Sequence, residues 1–135
     1  SDELHFYPSG YQKIYGRKCI DAGASVVIGH HPHVLQGLQV YKGGLIAYSL
    51  GNFVFGSRSA RLKDSMILGI DYDKNGLIQA KLYPVNVNNL EVEYQTKLRH
   101  GADAERVLQD LRTYSKEFRT VIESQGEVGV IKIRQ

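Results

Sequence analysis

Three imidazoles stand within four positions of this chain, at His30, His31 and His33. Neutral imidazole is a common ligand for zinc, iron, manganese and nickel. Residues i and i+2 of extended backbone point to the same side, so His31 and His33 can aim at one point. Pro32 between them favours an extended or turn conformation at His31. A lone histidine in such a place is ordinarily a hydrogen-bonded turn or core residue. Three of them directly after Gly29 point to metal or phosphate chemistry. The His-x-His spacing alone names neither the metal nor the reaction.

Other candidates are weaker. Asn52, after Gly51, is either a turn residue tolerating positive φ or an amide that positions the histidine loop or a ligand. Arg58, Arg61 and Lys63 lie in a small, polar, basic stretch, Gly56 to Asp64. They form a solvated loop or meet an anionic substrate. Cys19 is expected to be a small buried hydrophobe, since no base lies near it in the sequence.

The elements that must hold these residues can be read from pattern. Val26–Ile28 is β-branched, apolar and bounded by glycines, which predicts a buried strand running into the histidines. Sites of α/β sheets lie at such strand ends. Before it, Pro8 to Gly23 reads as a helix, with Ser9 as N-cap, Gly23 as a C-terminal stop and Ile14, Tyr15, Cys19, Ile20 and Ala22 as its apolar face. After it, Val34–Tyr41 and Leu45–Leu50 read as strands joined by Lys42-Gly43-Gly44. Ser65–Asp73 and Leu77–Asn86 flank Lys74-Asn75-Gly76, a strong hairpin signal. Pro84 should mark an edge or a strand end. Leu90–Thr96 reads as a short strand, Asp103–Ser124 as an amphipathic helix, and Val128–Ile133 as a last strand. His100 reads as a loop or capping residue.

The chain has 135 residues, 42% hydrophobic and 23% charged, as expected of one globular domain. Its formal net charge is +3 with no basic arm, which argues against nucleic acid as a partner. A single cysteine rules out an internal disulfide, and no apolar run reaches membrane-spanning length. The abrupt start at Ser1, without an initiator Met, suggests a piece cut from a longer protein.

Gly29-His30-His31-Pro32-His33-Val34-Leu35-Gln36 and Ala47-Tyr48-Ser49-Leu50-Gly51-Asn52-Phe53-Val54-Phe55 occur in that order. With Asp21-Ala22-Gly23-Ala24, Glu3 and Pro8, they resemble the bacterial capsule (poly-gamma-glutamate) synthesis CapA family, a branch of the calcineurin-like metallophosphoesterase superfamily. The resemblance implies an α/β (α+β) chain, residues 1–135 forming the C-terminal portion of a four-layer α/β/β/α sandwich with a two-metal site at its strand ends. In the superfamily's closing Gly-His-x-His motif each histidine binds one metal. The spacing places that pair on His31 and His33, and His30 becomes the catalytic or supporting contact to substrate. Asn52, Arg58 and Arg61 are then the substrate-binding residues. Two divalent ions (Mn, Fe or Zn) roughly 3.5–4 Å apart would activate water for phosphoryl displacement. The earlier motifs of the superfamily have no counterpart here, so this piece alone is expected to be inactive and to bind metal weakly at most. The parent is either a metal-dependent hydrolase acting on a phosphoester, or a non-catalytic capsule-assembly factor binding an anionic polymer through a degenerate site. A membrane-anchored, extracytoplasmic place in the cell envelope is part of the same expectation. Val26, Ile28, Leu45 and Leu50 should lack cover in this piece, so it should be ordered only by self-association or beside its missing N-terminal half.

Overall fold

A computed structural model describes residues 3–134. Ser9 starts the first helix, α1 (Gly10–Asp21), through a reciprocal capping box: Gln12 N–H donates to Ser9 Oγ (3.3 Å) and Ser9 N–H to Gln12 Oε1 (2.9 Å). The expected apolar face is only partly used. Gly16 and Ile20 are buried, whereas Ile14 and Tyr15 are 55% and 53% exposed and Cys19 is also exposed. A Cβ on Gly16 would lie 3.0 Å from Ile46, so the helix sits down on its smallest residue and only a narrow stripe makes contact.

The strand β1 (Val26–Ile28) follows, and then the hairpin β2 (Leu38–Tyr41) and β3 (Gly44–Ala47). Lys42 and Gly43 both have positive φ (49° and 78°), the signature of a tight two-residue hairpin turn. β3 is central, pairing parallel with β1 and antiparallel with β2. Side chains alternate along β3 and the residue after it: Leu45 and Ala47 enter the main core, while Ile46 and Tyr48 face the smaller cluster around Ile20. β1 is an edge strand, not the buried one expected, and Ile28 is 49% exposed. Of the four residues expected to lack cover, Leu45 is fully buried, and Val26 and Leu50 are half-buried.

The long hairpin β4 (Asp64–Asp73) and β5 (Gly76–Asn86) turns at Lys74-Asn75, with a register irregularity at Asp71/Tyr72. Pro84 lies inside β5, neither at an edge nor at an end. It is tolerated because β5 changes partners there, from the last strand up to Leu82 to β6 (Lys97–Leu98) from Val85 onward. The predicted strand 90–96 is instead one helical turn, α2 (Asn89–Val92), started by the Asn88 side chain accepting from Leu90 N–H.

Helix α3 (Gly101–Ser115) is shorter than predicted. A 3₁₀ turn over Lys116–Phe118 and Arg119 at φ 55° end it, and Ile122 reaches the core from extended chain. β7 (Glu123–Gln125) and β8 (Val128–Lys132) complete a second, five-stranded sheet in the order β4-β5-β8-β7, with β6 beside β5. The α+β architecture is therefore a helix on a three-stranded mixed sheet, with the five-stranded antiparallel sheet beyond it. α3 touches both β5 and β2, and its Val107, Leu108 and Leu111 join Leu38, Leu45, Leu82 and Ile131 in one core. The Arg106 guanidinium grips both Asp64 oxygens at 3.0 Å, fixing α3 to the start of β4.

Candidate metal centre

Gly29 sets the histidine loop against β3. Its N–H donates to Ala47 O (2.8 Å), and a Cβ there would stand 2.2 Å from Tyr48 O, so only glycine fits. The chain then leaves the sheet and turns twice, at His31 (φ 99°) and His33 (φ 62°). The two rings do converge, but not by the alternation of extended backbone. One ring nitrogen of each, with a carboxylate oxygen of Glu3, lie within 4.8 Å of one another. The ring centroids are 6.1 Å apart. His30 is exposed and lines the same cleft, together with Asn52, Phe53 and Phe55.

Asn52 is buried, and its Oδ1 is 2.8 Å from His33 Nδ1. An amide oxygen can only accept, so Nδ1 carries the proton and the Nε2 lone pair is left for a ligand. This is the arrangement in which a metal-ligating histidine is held by a neighbour on its other nitrogen. Gly51 takes the positive φ (76°) of this turn, which frees Asn52 from that task. Ser65 Oγ donates to Leu50 O (2.5 Å) and holds the turn to β4.

Gln36, the last residue of the histidine motif, ties the motif to the start of the chain. It is fully buried; its Nε2 donates to His5 O (2.7 Å), and its Oε1 accepts from Gln12 Nε2 (2.8 Å). Leu4 N–H donates to Pro32 O (2.8 Å), so the first described residues are strapped across the histidine loop. Arg61 belongs to this strap. Its Nη2 donates to Leu4 O (3.0 Å), and its guanidinium lies 5.5 Å from the Phe6 ring centre. Arg58 donates to the Tyr94 hydroxyl (3.1 Å) from an exposed position. Neither arginine lines the histidine cleft.

The donor set suits a divalent transition metal: two borderline imidazoles, one of them tautomer-fixed, and a hard carboxylate oxygen, a mixture that Zn, Fe and Mn accept. A tetrahedral shell with bonds of ~2.1 Å has edges of about 3.4 Å.

Residues 1–57, which contain the strap, the histidines and Asn52, match the family model described as bacterial capsule synthesis protein. Over these residues the chain is similar to that family. Two capsule-synthesis relatives extend the likeness past this region. The capsule biosynthesis protein CapA of Bacillus anthracis is 45% identical over 86 residues, 64% of this chain. The PGA biosynthesis protein CapA of Bacillus subtilis is 41% identical over 81 residues, 60% of this chain. The chain spans about a fifth of the length of these curated relatives, 21% of each.

Proposed function

We propose that this chain carries the histidine-loop part of a metal-dependent, phosphoesterase-like hydrolytic site in a protein of capsule, or poly-gamma-glutamate, biosynthesis. The observation that supports it most is the convergence of one ring nitrogen each of His31 and His33 with a Glu3 carboxylate oxygen, beside the bond from His33 Nδ1–H to the buried Asn52. In this reading His31 and His33 hold divalent metal (Mn, Fe or Zn), and Asn52 orients His33. His30 contacts the substrate from the cleft wall. The substrate is anionic, a phosphoester or an acidic polymer; Arg58, outside the cleft, meets only a substrate long enough to extend beyond it, and Arg61 acts through the strap it fastens. Divalent ions bound there would lower the pKa of a coordinated water and neutralise charge on the displaced oxygen. Further ligands come from other parts of the same protein, which pack along the open edge of β1, or from a second copy of the chain. The working place is the extracytoplasmic side of the cell envelope.

The test is metal content and phosphodiester hydrolysis by the intact protein, with His33→Ala beside it. The reading expects bound transition metal and turnover in the wild type, both strongly reduced in the variant. Metal without turnover would favour a capsule-assembly factor with a degenerate site. A metal-free protein that cannot be loaded would overturn the metal reading.

A further inference from the structure

We propose that Glu3 is itself a metal ligand, adding a carboxylate to the two imidazoles, His31 and His33, that hold divalent metal. This rests on the metal reading of the histidine loop and adds to it a residue from a different segment. Three observations carry it. The first is convergence: the Glu3 oxygen meets both imidazole nitrogens within 4.8 Å, although Glu3 lies 28 and 30 positions away in sequence.

The second is anchoring. The backbone beside Glu3 is tied down on successive groups: Leu4 N–H to Pro32 O (2.8 Å), Leu4 O from Arg61 (3.0 Å) and His5 O from the buried Gln36 (2.7 Å). Phe6 stacks on Tyr114, with ring centres 5.3 Å apart. An exposed glutamate needs no such fixation for solubility, whereas a ligand does, because ordering it beforehand lowers the entropy lost on binding.

The third is strain. Leu4, His31 and His33 all have positive φ (60°, 99° and 62°). Left-handed backbone at non-glycine residues is strained and gathers at ligand clamps. Here it adjoins or bears all three ligand side chains. Two imidazoles and one carboxylate leave several coordination positions open, the pattern of sites that accept a substrate or water at Fe(II), Mn or Zn.

The experiment is Co²⁺ titration of the intact protein, followed by visible absorption and by competition with a chelator. Wild type, Glu3→Gln, Glu3→Asp, His31→Ala and His33→Ala are compared, with near-ultraviolet circular dichroism as the folding control. Glu3→Gln is isosteric at an exposed side chain, so the fold should be unchanged. The expected result is at least a tenfold loss of affinity for one Co²⁺ equivalent and an altered band shape in Glu3→Gln, partly restored in Glu3→Asp, with losses as large in the histidine variants. Wild-type affinity and spectrum in Glu3→Gln, while the histidine variants lose Co²⁺, would overturn the Glu3 assignment and leave the histidine site standing. No change in any variant would overturn both.

Discussion

Replacing Gly29 by alanine tests the claim that the histidine loop is seated by backbone contact with β3. The added Cβ would lie 2.2 Å from Tyr48 O and 3.0 Å from Tyr48 C, both backbone atoms that no side-chain rotation can clear. Reaching an ordinary contact of about 3.2 Å requires the two chains to separate by ~1 Å, the kind of overpacking that typically costs about 1–3 kcal/mol. The same displacement stretches the Gly29 N–H to Ala47 O bond from 2.8 Å. Losing that bond adds about 0.5–1.5 kcal/mol. The sum, roughly 2–4 kcal/mol, would move a urea midpoint down by about 1–2 M at an m value near 2 kcal/mol/M. Gly10→Ala is the control, because a Cβ there meets nothing within 4 Å. A Gly29→Ala midpoint within about 0.2 M of wild type would show that the loop is not seated as described.

Gln36→Leu should lower stability by about 1–3 kcal/mol, since it strips His5 O and Gln12 Nε2 of their buried partner; urea unfolding reads this directly. Asn52→Ala should weaken metal binding about 10–100-fold by releasing the His33 tautomer, as chelator competition would show. Burial pushes the Tyr48 hydroxyl up from the ordinary 10.0 to about 12. Because the folded state holds that proton more tightly, its contribution is complete below pH 10 and is lost as pH rises towards about 12. Alkaline unfolding of wild type against Tyr48→Phe, with phenolate absorption as the second readout, should show the variant less sensitive across that window.

Much of the fold was legible because short-range chemistry decides it. Ser9 with Gln12, Lys42-Gly43 and Asn75-Gly76 each carry a local hydrogen-bond or φ requirement, and each marks an element boundary in the structure. The misreadings fall where tertiary contact overrides pattern. The apolar positions 114, 118, 121 and 122 keep helical spacing, yet α3 stops at Ser115. Ser115 Oγ accepts from Leu38 N–H (2.9 Å), and a Cβ on Gly37 would lie 2.3 Å from Tyr114 O. The helix end is thus held against β2, and Thr120 donates to Leu38 O (2.8 Å) as the chain folds back over the same strand. Cys19 and Tyr15 read as core because helical periodicity reports which residues share a face. It does not report whether anything covers that face, and here their side is open.

The site shows the same division more sharply. The histidines were visible as a cluster of one residue type, and their convergence followed from spacing even though the backbone reason was wrong. Extended chain would put His31 and His33 on one side by alternation; the structure gets them there through two left-handed turns. Such turns are unfavourable for histidine by themselves, so something outside the loop must hold them. The bonds that do so come from far away in sequence: Leu4 to Pro32, His5 to Gln36, Asn52 to His33. None has a local signature, because each joins a backbone or amide group to a partner chosen by the fold alone. The strap and the Asn52 turn approach the loop from opposite ends of the motif region. The geometry of the histidine cluster is therefore a property of residues 3–52 acting together, and the His-x-His spacing is its visible tip. A substitution that releases the strap, such as Gln36→Leu, should consequently weaken metal binding as well as stability. Loss of stability with metal affinity unchanged would show that the histidines hold their turns unaided.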